Sequence, residues 1–528
     1  MSAVMDRVDA PFGEDHGPML TGEYAPIIDE QELRDLPVEG EIPPDLNGVY
    51  LRNGPNQRFE PKGNFHIFDG DGMLHAAEFR GGKVTYRNKW VRTDGWLRND
   101  ETGSENFWGV MNSVKGRPDK PMNDVANTDV IGHGGNAVAT WYLAGIPYVV
   151  DPITLETRKA GRDYVFSPGN GMSAHPKVDE FTGELLFFDY FAEHPHMAYG
   201  VVDANGKLVH HVPIELPGDR LPHDMGITEN YSILHDLPVY HDEDALRAGR
   251  HKIVFNSEIP ARFGVIPRYG ASDSIRWFEF SSCFLYHVVN CWEEGDEIVM
   301  VACRYMPARH DDGSYDDQRT AKMIAHLVMD ARLWRYRMNL KTGESSEECL
   351  DPDHNVEFPG FNSAFTGRRT QWGYFVDHDP HILRWTGIRK MNTDTGETAG
   401  EWSDSHEHCW YSEPWFAPAD DPKSEDHGYV VVFAWNDQTR IQQLQVFDAL
   451  DVGKGPVARV TLPQRVPPGF HACWMKPSQI ENWDRCLPGA SLTRVACVLA
   501  AGHSRGHGFG LALSPAAHHR QRAIRAGR

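Results

Sequence analysis

The stretch AHPKVDEFTGELLFFDYF (174–191) carries the pattern that decides the fold. A histidine, His175, precedes a short extended word. A small-polar turn closed by Thr-Gly follows, and then an apolar run of strand length, ELLFFDYF (184–191). Gly at such a turn supplies the positive φ that a tight hairpin requires. The same phrase returns along the chain in MNLKTGES (338–345), MNTDTGET (391–398) and, with Asn-Gly, VDANGKL (202–208). Other runs with strand character are VTYRNKWV (84–91), AVATWYL (137–143), HKIVFNS (251–257), EIVMVACRYM (297–306) and YVVVFAW (429–435). Many short strands joined by Gly turns at irregular spacing exclude a short-period solenoid and fit an all-β fold, a β-propeller with long inserts or a large sandwich.

Helical signals are few. IIDEQELRDL (27–36) predicts a short N-terminal helix, and DDQRTAKMIAHLVMDARLW (316–334) has apolar residues at helical spacing, so it predicts a helical insertion. The expected organisation is an N-terminal arm over 1–39, one β domain over 40–478, and a basic, disordered tail over 479–528 that has no acidic residue after Arg485. The net charge of −23 argues against a nucleic-acid partner, whose phosphates need a basic surface. None of the eight cysteines lies in the first half and none forms a CxxC pair, so reduced thiols in a cytoplasmic protein are expected. The N-terminus lacks an apolar core and no apolar run is long enough to span a bilayer. Peripheral contact with a membrane remains open on composition.

Chemistry centres on four of the 27 histidines: His175, His223 in LPHDMGIT, His287 in LYHVVNCWEE and His471 in PPGFHACWM. Each sits where an apolar or extended stretch meets a turn, and no two share a helical turn. Neutral imidazole is a good ligand for divalent iron, copper or zinc, so the count alone does not select the metal. In a propeller the innermost strands face the axis, where one histidine per blade would converge. A metal-bound imidazole usually donates its second N–H to a carboxylate or carbonyl. Glu357 in VEFPGFN and Glu413 in YSEPWFAP, both among Pro and aromatic residues, are the candidates. The His406–Glu407–His408 word reads as a polar edge instead.

With these words in view the chain resembles the carotenoid cleavage oxygenases, a family that includes apocarotenoid-cleaving, stilbene-cleaving and retinoid-isomerising enzymes. GVYLRNGPN (48–56) and FHIFDGDGMLHAAEF (65–79) resemble its opening signature, and the histidine and glutamate words follow in order to about residue 475. The resemblance implies a seven-bladed β-propeller capped by a dome of loops and short helices. It implies Fe(II) held by His175, His223, His287 and His471, with Glu357 and Glu413 holding imidazoles, and Thr128 in VANTDV crowding an open metal position. The implied reaction is insertion of both oxygen atoms of O2 across a C=C bond of an apocarotenoid-like polyene, giving two carbonyl products. Phenylpropanoid-type alkenes (stilbenes, isoeugenol, vinylphenols) are the alternative substrates; a retinoid-type isomerase and a non-catalytic binding propeller are the lesser ones. The family often carries a third glutamate where TWYLAGIPY (140–148) has Tyr142 and Leu143, so a backbone carbonyl or a water is expected to support one histidine. The Lys-Glu pair of stilbene- and isoeugenol-cleaving relatives is also missing there.

Overall fold

The structure is a computed structural model that describes residues 11–12, 16–112, 119–143, 145–158, 171–248 and 251–483. The strands assemble into eight antiparallel sheets, seven of them blades of a β-propeller and the eighth a two-stranded pair, Val239–His241 with Ile253–Phe255. Blade 3 shows the pattern read from the sequence: Lys177–Asp179, Glu184–Tyr190, His196–Val202 and Leu208–Glu215 pair in chain order. The turn Asp179–Gly183 closes its first hairpin, with Gly183 at φ 72°. Blades 5 and 6 use the same turn at Gly343 and Gly396, also at positive φ. At Gly396 an added Cβ would fall 2.2 Å from the Leu350 carbonyl oxygen, so glycine is demanded there by both dihedral and space.

Closure of the ring uses both ends of the described chain. The innermost strand of blade 1 is Ala472–Met475, which pairs with Gly48–Pro55. The outermost strand of blade 7 is Val38–Gly40, which pairs with Pro456–Leu462. Between them, Gln31–Arg34 adds an outer edge to blade 1, opposite Thr85–Asn88. The helix expected over 27–36 is therefore absent. Pro26 and Pro37 bracket this segment, and in an extended form its backbone finds ladder partners on two blades that a single helical turn could not supply. The insertion at 316–334 is helical only over Asp317–Ala325, capped by the Asp316 carboxylate on Arg319 N at 2.9 Å. Ala331 begins a strand of blade 5, whose alternating burial suits a sheet edge better than a helix face. A second helix, Asp94–Thr102, had no apolar periodicity to reveal it; Thr93 caps its start and Gly103 its end.

Blades pack face to face, so most strands are buried on both sides and read as continuous apolar runs. Separate apolar clusters fill the spaces between blades 1 and 7, 1 and 2, 2 and 3, and 5 and 6. The largest cluster runs through blades 3 to 7 and continues into the loops over one end of the axis through Ile67, Leu221, Ile324 and Phe470. Helix Asp317–Ala325 is tied to strand Phe284–Glu294 by Tyr286, which donates to Ile324 O at 2.9 Å, and to those loops by the His66 ring against Ala325 O at 3.1 Å. No helix among the described residues is long and apolar enough to cross a membrane.

Candidate metal centre

One histidine stands at the start of the innermost strand of each of four blades. His175 precedes Lys177–Asp179 of blade 3, His223 precedes Gly226–Ile227 of blade 4, and His471 precedes Ala472–Met475 of blade 1. His287 lies inside Phe284–Glu294 of blade 5, where the register slips between Leu285 and Val288; such a bulge turns a side chain away from its regular direction. His175 adopts φ 65°, a left-handed conformation rarely taken by a residue with a Cβ, and Phe358, packed against His287 and His471, does the same at φ 50°. One nitrogen from each of the four imidazoles lies within 4.8 Å of the others, and all four residues are buried.

The blades that lack a histidine supply carboxylates. From blade 6, Glu357 Oε2 meets His287 Nδ1 at 2.5 Å and accepts from Phe358 N at 2.8 Å. From blade 7, Glu413 Oε1 meets His471 Nδ1 at 3.1 Å, while its Oε2 accepts from Ala472 N at 2.5 Å. From blade 2, Asp129 Oδ2 lies 3.7 Å from His175 Nδ1 and accepts from His175 N at 3.2 Å. Asp129 was missed by sequence reading, which looked for a third carboxylate around Tyr142 and Leu143. The available signal was an aspartate adjacent to Thr128 in a word already singled out. Tyr142 packs its ring 4.3 Å from that of His223, and Tyr286 stands edge-on to it at 5.0 Å. His223 Nδ1 has no hydrogen-bond partner among the described residues, so no carbonyl takes the missing carboxylate's place. Neighbouring Asp224 points away, accepting from Val288 N and Met225 N and pairing with Lys177 at 2.7 Å.

Burial is the main influence on every one of these groups. It pushes His471 down to about 4 and holds His175, His223 and His287 well below the usual imidazole range, so all four imidazoles are neutral at pH 7 and free to act as ligands. It raises Glu357 and Glu413 well above the usual carboxylate range, and Asp129 in the same direction. Such buried acids are costly without a positive neighbour, and a divalent cation between the imidazoles supplies one. His175 Nε2 and His287 Nε2 are buried and unpartnered, as nitrogens facing a metal position must be. The donor set therefore fits a divalent ion.

Aromatic side chains cover the dome side of the cage. Phe358 stacks on His471 at 4.8 Å and 18°, Trp385 stands edge-on to Phe358 at 4.7 Å, and Phe68 touches both Tyr142 and Phe470. Thr128 is buried beside this group, its carbonyl accepting from His471 N at 3.2 Å. Its hydroxyl donates to Asn127 and accepts from Tyr142 N, which leaves the methyl as its unengaged end. His406 and His408 lie in a turn outside the site, with His408 bonded to Asp437 at 3.0 Å. Six cysteines are free thiols; Cys486 and Cys497 fall outside the described residues, as does nearly all of the expected basic tail.

A propeller whose seven blades each contribute an imidazole or a carboxylate to one axial cluster defines a metal-dependent class. The family model described as retinal pigment epithelial membrane protein matches residues 24–476, and the chain belongs to that family. It is 34% identical over 499 residues to a carotenoid 9,10(9',10')-cleavage dioxygenase of Crocus sativus, spanning 88% of this chain and 90% of that one. Isoeugenol monooxygenase of Pseudomonas nitroreducens is 32% identical, spanning 87% of this chain and 98% of its own length. Among solved structures, lignostilbene dioxygenase of Pseudomonas brassicacearum superposes with a TM-score of 0.77 at 27% identity, covering 87% of this chain and 98% of that chain.

Proposed function

We propose that this enzyme is an Fe(II)-dependent dioxygenase that cleaves one C=C bond of an apocarotenoid-like polyene into two carbonyl products. The observation that carries this reading is the convergence of four buried, neutral imidazoles on one point, with carboxylates on three of them. His175, His223, His287 and His471 would hold the ferrous ion. When bound, the ion supplies the open positions and the electrons needed to bind and activate O2. The chain's own groups do the rest. Glu357, Glu413 and Asp129 orient His287, His471 and His175 and balance charge. Thr128 turns its methyl, the end free of hydrogen bonds, to one side of the cage. Phe68, Tyr142, Tyr286, Phe358 and Trp385 form an apolar, water-poor wall against which an alkene is positioned; selecting one of many similar double bonds is a positioning task. No residue is required to move a proton.

Phenylpropanoid-type alkenes are the second reading, favoured by the likeness to isoeugenol monooxygenase and lignostilbene dioxygenase. Against it, no lysine lies beside Tyr142 to grip a phenol. The residue before it is Trp141, whose Nε1–H is committed to Phe68 O at 3.1 Å. A cytoplasmic enzyme collecting a lipid-soluble polyene at a membrane surface fits this chemistry. The deciding experiment is incubation of iron-loaded protein under 18O2 with apocarotenals, resveratrol, isoeugenol and vinylguaiacol, followed by mass analysis. Labelled aldehydes from the apocarotenals support the first reading, and labelled vanillin-type products the second. Turnover by iron-free protein would overturn both.

A further inference from the structure

The imidazole cage has a second face. Away from the aromatic wall, a cavity of about 110 Å³ runs along the propeller axis, and His175, His287 and His471 all border it. Its wall is mixed: Val130, Val178, Ile227, Phe361 and Trp415 make much of it apolar, with charged groups set into it. Those groups are Asp129, Asp224 and Glu413 deep inside, Lys177 paired with Asp224 at 2.7 Å, and Glu180 farther out. Glu180 is held from two directions across the axis. Lys476, just after the innermost strand of blade 1, reaches it at 2.6 Å, and Ser363, after the innermost strand of blade 6, donates to its other oxygen at 2.5 Å. Glu180 itself follows the innermost strand of blade 3, so three non-adjacent blades meet at one carboxylate. Lys476 and Glu180 retain 30% and 15% exposure, which places this contact at the solvent end.

A ferrous ion must cross from water to a fully buried cage. Through the aromatic wall of Phe68, Tyr142, Tyr286, Phe358 and Trp385 it would meet no carboxylate, and stripping its hydration there is costly. Along the axis it would meet carboxylate oxygens at successive depths, ending at the unpartnered Nε2 atoms of His175 and His287. We infer that the axial cavity is the metal's access path, that Glu180 is its outer cation-binding station, and that the Lys476–Glu180–Ser363 contact is the latch that closes it. What distinguishes this path from the aromatic side is the series of carboxylates set into it: Glu180, Asp224, Asp129 and Glu413. This inference rests on the four-imidazole reading above.

The test follows Co(II) binding by its visible absorption, starting from chelator-stripped full-length protein, with no substrate present. K476M and S363A each remove one grip on Glu180. Both uptake of Co(II) and its release to a chelator are expected to accelerate by about fivefold, the effect of losing one partly exposed contact, with the equilibrium affinity unchanged. E180Q, which removes the station's charge together with the latch's ion pair, is expected to speed release as K476M does yet to slow uptake and flatten its dependence on salt. Tyr24→Ala, which loosens the dome side by removing the contact with Trp410 and the bond to Leu383 O, is expected to leave both rates alone. Unchanged rates in K476M and S363A, or acceleration confined to Tyr24→Ala, would overturn the path. Should one of the latch variants fail to fold by circular dichroism, the other and E180Q still decide it. A wild-type protein that takes up no stoichiometric Co(II) would sink the metal reading itself, a separate result.

Discussion

His223 differs from its three companions at the residue scale. His287, His471 and His175 each face a carboxylate, whereas on its outer side His223 meets the rings of Tyr142 and Tyr286 and no carboxylate among the described residues. Support of this kind typically alters metal affinity by about 10- to 100-fold. Glu357→Gln and Glu413→Gln are therefore expected to weaken Fe(II) binding by about that factor while keeping the fold, measured by chelator competition. Tyr142→Glu, which offers His223 the missing partner, is expected to slow metal loss; faster loss would show that the aromatic wall matters more than the carboxylate. His175→Ala removes a ligand outright and should abolish both metal content and turnover. The buried imidazoles also set a pH response. His66 and His378, away from the cage, are pushed by burial from 6.5 to about 4. In that window these two imidazoles bind protons only in the unfolded chain, so their own contribution to stability grows as pH rises from about 4 to 6.5, while the buried carboxyls of Asp69, Asp71 and Asp124, pushed up to about 7, act in the opposite direction. Thermal melts of metal-free wild type and of His378→Gln between these limits should show the wild-type midpoint gaining on that of the variant as pH rises; a constant difference would contradict neutral burial of His378.

Among elements, the bulged innermost strands do the precise work. Register slips put His287 and Glu357 where a regular strand would not. Gly360, three residues beyond Glu357, lets two carboxylate-bearing segments touch: a Cβ there would stand 2.0 Å from Pro414 O, next to Glu413. Gly360→Ala is expected to cost about 1–3 kcal/mol by overpacking and to loosen the metal, read by denaturant melts and metal content together. Loss of stability alone, with full metal affinity, would mean that this contact does not hold the cage. These bulges explain one limit of reading from sequence: a period-two pattern reveals a strand but not where its register slips.

Over the whole molecule, ring closure depends on segments remote in sequence. Gln31–Arg34 and Val38–Gly40 lie on blades 1 and 7, and Ala472–Met475 completes blade 1. A chain starting at residue 41 leaves two sheet edges uncovered and is expected to melt at lower temperature and to aggregate on heating, as checked by calorimetry and light scattering. Wild-type apo-protein should melt below the iron-loaded form, because a ligand bound only by the folded state stabilises it by mass action.

By itself the sequence was enough for the all-β class, the repeated hairpin turn, the four histidines and two of the three carboxylates. Those signals are local: a glycine with positive φ, a strand-length apolar run, an acid lodged among prolines and aromatics. The short N-terminal strands were misread because their partners, around residues 85 and 459, lie far along the chain, and propensity favours whichever structure pairs locally. Asp129 and the isolation of His223 were settled only by tertiary structure, since which carboxylate meets which imidazole depends on how seven blades close around one axis, and no spacing between residues encodes that angle.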